Sequence, residues 1–216
     1  SSSARVLEER FQSTPTQPPE MAQQYIQQAV SEVMPGARAT DVAHLLAYLM
    51  GLPFTDSPVL GPLIEAPQQL ESRIFIALRR FLAADAKQGP LVFVLEDLER
   101  AGDETINLLH YLVAGLTEVP VVFIATAEQR LLESYPNFGA GEVPFERTLL
   151  GPLSDDDAVA LLRALCRPLG EIPARLVAHA KSLDGSPRAL MELIRLLLEI
   201  GIIVRAGQSS WTVDRE

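Results

Sequence analysis

Two adjacent carboxylates, Glu96 and Asp97, end a run of five apolar residues, Leu91-Val92-Phe93-Val94-Leu95, that opens on the turn Gly89-Pro90. A short continuous apolar run bounded in this way predicts a strand buried on both faces of a parallel sheet. Such a strand carries the acid pair to its carboxyl end, where open α/β sheets keep their ligand crevice. An acid pair there serves ligand chemistry or is the solvated cap of the next turn, and the residues alone leave both readings open. Other chemistries find less material. One cysteine, Cys166, excludes an internal disulfide and a cysteine-based zinc site, and His44, His110 and His179 fall far apart inside predicted helices. Cys166 and His110 read as packing residues, and no nucleophile–base–orienter set is visible.

The elements around the acid pair follow from periodicity. Arg5 to Phe11 reads as a short strand, followed by the Pro-rich loop from Ser13 to Pro19. Tyr25, Ile26, Ala29, Val30 and Val33 recur at helical spacing up to the stop at Pro35-Gly36, and a second helix starts at Thr40-Asp41 and ends at Gly51. Residues 51–68, with four prolines, read as an irregular connection. Leu70, Ile74, Ala77, Leu78, Phe81 and Leu82 then predict an amphipathic helix leading into the strand of the acid pair, with Arg73, Arg79 and Arg80 on a solvated outer face. Asp103 opens a further helix, and the apolar run Val119 to Ala125 predicts a second buried strand, parallel to the first across a βαβ crossover.

Residues 134–144 read as a loop and Arg147 to Leu150 as a short strand, and Gly151-Pro152-Leu153-Ser154 marks a boundary. The pattern then turns helical, with Ser154 and Asp157 as a capping-box variant, a short helix from Pro173 to Lys181, and a longer one with Pro187 in its first turn. Gly201 to Val213 reads as a hairpin turning at Gly207. The expected division is an α/β core over 1–152 and a helical lid with a terminal hairpin over 153–216.

The formal net charge of −10, with lysine only at positions 87 and 181, disfavours a direct nucleic-acid surface. No run of 18 apolar residues occurs, and the first residues lack the basic start and apolar run of a signal peptide. A cytoplasmic protein without a membrane partner is the expectation.

In this order the elements resemble the AAA+/STAND-type P-loop ATPase modules of bacterial multidomain signalling proteins and transcription regulators. The residues that carry the resemblance are the strand ending in Glu96-Asp97, the helix start at Asp103, the strand Val121-Val122-Phe123-Ile124-Ala125-Thr126, and Leu183-Asp184-Gly185-Ser186-Pro187-Arg188 with the helix after it. The resemblance spans roughly residues 4–213. It implies a parallel-sheet core, incomplete at its N-terminus, followed by a helical lid. It also implies a Walker B strand in which one of Glu96 and Asp97 orients Mg²⁺ and the other polarises the attacking water. The family's usual order has Asp first, so which residue takes which role stays open. Thr126 would be the sensor that hydrogen-bonds the γ-phosphate or the lytic water, although Ala127, Glu128 and Gln129 intervene before Arg130 where the family often has an arginine directly. Gly185, Pro187 and Arg188 would supply the lid side of an ATP or ADP pocket, Arg188 as a planar phosphate donor.

The phosphate cradle itself is missing from the sequence. P-loop chemistry needs Gly-rich backbone N–H groups, a Lys on the phosphates and a Ser/Thr on Mg²⁺. No Gly-Lys-Ser or Gly-Lys-Thr occurs here. Two explanations compete: the chain is cut from a longer polypeptide whose P-loop lies upstream, or the loop has been lost and the module is an interaction scaffold. On either one, the isolated chain is expected neither to bind nucleotide tightly nor to hydrolyse ATP. Its expected partners are other domains of the same polypeptide or signalling proteins. Loss of the family's central first strand would expose an edge beside Val121 to Ala125, so self-association is expected as well.

Overall fold

A computed structural model describes residues 7, 10–11, 18–52, 54, 56–141, 143–205 and 210–213. The chain divides into two units, 1–145 and 146–216, each with its own core.

The first unit begins with α1 (Pro19–Val33), opened by a proline in its first turn, and α2 (Ala37–Leu49), which starts three residues before the expected Thr40. The irregular connection holds a single helical turn, α3 (Gly61–Ile64), and leads to α4 (Pro67–Asp85). Then come β1 (Leu91–Leu95), α5 (Asp103–Gly115), β2 (Val121–Ala125) and the short α6 (Arg130–Ser134). Arg5 to Phe11 is not the expected strand where it is described. Leu7 and Arg10 are helical, Phe11 N–H donates to Leu7 C=O (2.9 Å), and Leu7 and Phe11 are both buried. Leu7 and Phe11, four residues apart, fall on one apolar face, as stacked positions of a helical turn do.

Apolar faces of α1, α2 and α4 pack together around Ile26, Val30, Leu46 and Phe81, all inaccessible to solvent. Helix α4 also crosses α5. The Arg79 guanidinium lies 5.0 Å over the Tyr111 ring, and the missing Cβ of Gly115 gives its stem room, since a Cβ there would stand 2.4 Å from Arg79 Cδ. Arg79 thus packs on a neighbouring helix and is no purely solvated charge. Arg10 makes a two-pronged ion pair with the buried Asp85 carboxylate, both contacts 2.8 Å, and ties the start of the chain to the end of α4.

Among the described residues the parallel sheet has two strands, β1 and β2, paired from Leu91↔Val121 to Leu95↔Ala125. One face, with Leu91, Phe93, Val121 and Phe123, packs on the helical core. The other does not. Val92 and Val94 are 60% exposed, Val122 53% and Ile124 50%, so the expectation of burial on both faces fails. An apolar run sits on a half-open sheet, because no described helix covers its second face.

A small polar bridge closes the connection after α2. His44 Nδ1 lies 2.7 Å from Ser57 Oγ, which also accepts the Leu60 N–H, and the imidazole stacks on Phe54 at 4.1 Å. Burial lowers the His44 pKa, against an opposing pull from Asp41. The unfolded chain therefore binds the proton more readily than the folded one, and stability present above the ordinary histidine range of about 6.5 is lost as pH falls below it. Denaturant midpoints at pH 7.5 and 5.5 should show that loss in the wild type and a smaller one in His44→Gln. An equal loss in both would remove His44 from the account.

In the second unit, residues 146–154 form no strand, so the strand expected at Arg147 to Leu150 is absent, and Leu149 and Leu150 are 74% and 92% exposed. The helices are α7 (Asp155–Leu165), α8 (Ala174–Lys181) and α9 (Pro187–Glu199). The predicted cap forms, with Ser154 Oγ accepting the Asp157 N–H, and Ser186 Oγ likewise accepts the Ala189 N–H, each at 3.2 Å. An antiparallel hairpin of β3 (Ile203–Arg205) and β4 (Trp211–Val213) follows as expected, with its turn at Gly207 outside the described residues. Leu162, Cys166, Leu190 and Ile194 form the core, and burial pushes the Cys166 thiol pKa up, as befits a packing residue.

Candidate functional site

The turn after β1 and the loop after β2 meet at the carboxyl end of the parallel pair. The ladder continues one step past the strands, with the Thr126 N–H donating to Leu95 C=O (2.8 Å) and the Leu98 N–H to Thr126 C=O (2.9 Å). The Asp97 N–H then donates to Thr126 Oγ (3.3 Å), so two residues singled out from sequence, 29 positions apart, become neighbours. Asp97 has φ 52° and ψ 46°, left-handed backbone that Asp tolerates better than most residues. That conformation turns the chain sharply out of β1 into a 3₁₀ turn at Leu98–Arg100. Glu96, Asp97 and Thr126 are exposed, and no described residue engages the Glu96 side chain.

An apolar cluster fixes this end of the sheet from below. Leu98, Ile106, Leu109 and Leu131 are buried together, with Leu95, Phe123, Tyr135 and Phe138 packed against them. Leu98 comes from the acid turn, Ile106 and Leu109 from α5, and Leu131 from α6. The Tyr135 hydroxyl donates to the Asp103 carboxylate at the start of α5, and this hydrogen bond raises the Tyr135 pKa. Tyr135 thereby ties the start of the segment 134–144, read from sequence as a loop, to the start of α5.

Glu99 was not among the residues sequence reasoning singled out. Its side chain is only 3% exposed although it lies in a surface turn. It accepts the Glu128 N–H (3.3 Å) and Arg130 Nη2 (3.1 Å), and Arg100 Nε is 3.6 Å away. Desolvation pushes the Glu99 pKa up, but its own backbone N–H, Arg130 and the Glu128 N–H together hold it below the ordinary value. Arg100 also reaches Asp97 (3.4 Å), and Arg130 reaches Glu128 (3.2 Å). The only sequence signal was a third acid, three residues after Glu96.

Gly185, Pro187 and Arg188 lie in the second unit and are described within it. Gly185 has φ 67°, its carbonyl accepts the Leu153 N–H (2.8 Å), and a Cβ on it would stand 2.3 Å from Leu153 O. Pro187 opens α9, and Arg188 is exposed on its first turn without a partner among the described residues.

The acid pair suits a hard cation of the Mg²⁺ type, but no group of three or more His, Cys, Asp or Glu side chains converges among the described residues. Glu96 and Asp97 fit Mg²⁺ only in company with phosphate oxygens and water, which is its usual manner of binding in phosphoryl-transfer sites. When bound there, the ion would neutralise phosphate charge. The chain's own part would be to offer these two carboxylates from a turn whose Asp97 N–H is held by the Thr126 hydroxyl.

No helix among the described residues is long and apolar enough to cross a membrane. Among curated proteins and among solved structures, no match to the chain was found. The family profile of the AAA ATPase domain matches residues 2–124, more than half of the chain and nearly all of the first unit up to the end of β2. The chain belongs to the AAA ATPase domain family, nucleotide-dependent modules with a P-loop NTPase-like fold.

Proposed function

We propose that the chain is the acid-pair and lid portion of a STAND-type ATP-dependent switch in bacterial signal transduction or transcription control, acting in the cytoplasm on neighbouring domains or signalling proteins. The observation that supports this most is the meeting of Asp97 and Thr126 at the carboxyl end of the parallel pair, where α/β folds bind ligands. On this reading Glu96 and Asp97 are the Walker B acids, one orienting Mg²⁺ and the other polarising water, and Thr126 senses the γ-phosphate. On the same reading Gly185, Pro187 and Arg188 are the second unit's own contribution to nucleotide binding. With no Gly-Lys-Ser or Gly-Lys-Thr in its 216 residues, the chain alone neither binds ATP tightly nor hydrolyses it. Calorimetric titration of ATP and ADP with Mg²⁺ should give binding to the longest natural polypeptide that contains these residues and none to the 216-residue chain.

A second reading, a non-catalytic interaction scaffold on a degenerate ATPase fold, draws on the open sheet face of Val92, Val94, Val122 and Ile124. Contiguous exposed apolar surface is a common mark of an interface. That reading is left standing if neither polypeptide binds nucleotide. It predicts self-association, seen as a mass above the monomer at high protein concentration.

A further inference from the structure

The residues that hold Thr126 against Asp97 do not end with the strand ladder. Beyond it, Thr126 to Arg130 are all exposed, and between Thr126 and Leu131, which packs with Leu98 in the apolar cluster, the segment after β2 could bow away from the acid turn. Glu99 is the side chain placed to prevent this. Its side chain is 3% exposed, and two of its cationic or N–H partners, the Glu128 backbone and the Arg130 guanidinium, belong to that segment. Arg130 in turn spans Glu99 and Glu128, at 3.1 and 3.2 Å. A carboxylate that accepts from a backbone N–H and a guanidinium together fixes both direction and distance, which an exposed ion pair alone does not.

We propose that Glu99 is a positioning residue: with Arg130 and the Glu128 N–H it latches the segment after β2 onto the turn after β1, and so sets the Thr126 hydroxyl beside Asp97. This assignment rests on reading Asp97 and Thr126 as nucleotide-facing, but the latch is a property of the chain without nucleotide and can be tested there. It also commits the exposed Arg130 guanidinium to Glu99 and Glu128, three residues beyond the place where a phosphate-directed arginine was looked for.

The test is backbone amide exchange followed residue by residue in the full chain, for wild type, Glu99→Ala, Glu99→Gln, and the charge-exchanged pair Glu99→Arg with Arg130→Glu. In Glu99→Ala, the amides of Asp97 and Glu128 should exchange about tenfold faster, while those of Val92 to Leu95 in β1 keep their rates. Glu99→Gln retains an acceptor for the Glu128 N–H and should restore much of that amide's protection but not the hold on Arg130. The charge-exchanged pair should protect Asp97 better than Glu99→Ala does. Unchanged rates at Asp97 and Glu128 in Glu99→Ala would overturn the latch, and so would equal acceleration throughout β1, which would mark Glu99 as a general stabiliser. If the exchange pattern holds while Mg²⁺ and ATP fail to bind any natural polypeptide containing the chain, the nucleotide reading falls and the latch stands.

Discussion

Gly185→Ala is expected to lower the stability of the second unit by about 2–4 kcal/mol, a large effect for one methyl group. Residue 185 has φ 67°, and a Cβ would meet Leu153 O at 2.3 Å and Leu153 N at 2.7 Å. Both obstacles are backbone atoms, which cannot rotate aside, and the Leu153 N–H bond to Gly185 C=O (2.8 Å) holds the two segments at that separation. Asp184, at φ 50°, is already left-handed, so the strain cannot be passed back along the chain. The single tryptophan, Trp211, packs against this unit's core, so its fluorescence reports the transition in denaturant. Arg188→Ala, on an exposed position three residues on, should stay within about 0.5 kcal/mol of wild type. An unchanged midpoint in Gly185→Ala would show that the Leu153 contact does not hold in solution. The outcome bears on function too, because Gly185 then serves the second unit first as a backbone crossing point, whatever it offers a nucleotide.

Phe81→Ala is expected to destabilise the first unit by about 3–5 kcal/mol, the range for emptying a large buried site. Phe81 is fully buried in α4, and its ring lies 5.2 Å from Phe11, which is itself buried. The same core supports the inner face of the sheet through Leu91, Phe93, Val121 and Phe123. The loss is therefore transmitted to the strands that carry the acid pair. Far-UV circular dichroism in denaturant reads it, and a loss below about 1 kcal/mol would mean that the core refills the site.

How much of this was legible follows from the local physics of each stretch. The strand of the acid pair was readable because five apolar residues between Gly-Pro and two carboxylates allow few other arrangements. Pairing with Val121–Ala125 followed from the helix between them. The open sheet face was not readable, since apolar runs carry no mark of which side is covered. Arg5 to Phe11 misled because a few residues with apolar positions four apart fit helix and strand alike. Helix α6 was missed because Arg130–Ser134 is only 5 residues long and takes its order from tertiary contacts, Leu131 in the apolar cluster and Tyr135 on Asp103. Glu99 was passed over for a related reason. An acid in a charged turn is ordinarily solvated, and only its partners 29 and 31 positions away bury it.

The same asymmetry holds for the candidate site. Glu96, Asp97 and Thr126 were named from type and order, and the proximity of Asp97 to Thr126 emerged only with the left-handed turn at Asp97. Gly185, Pro187 and Arg188 were named from a loop-to-helix signal, and the contacts of Gly185 give it a packing role that its sequence context did not suggest.

On the proposed function, the foremost expectation is that Glu96 and Asp97 face the metal of a bound nucleotide. Its most direct measurement is the effect of Mg²⁺ on ATP affinity, by calorimetry, in the longest natural polypeptide containing these residues, for wild type and for the Glu96→Gln/Asp97→Asn pair. The predicted result is that Mg²⁺ tightens ATP binding in the wild type and that this gain falls by about tenfold or more in the variant, near 1.4 kcal/mol of coupling. An Mg²⁺ effect of equal size in both proteins would contradict it.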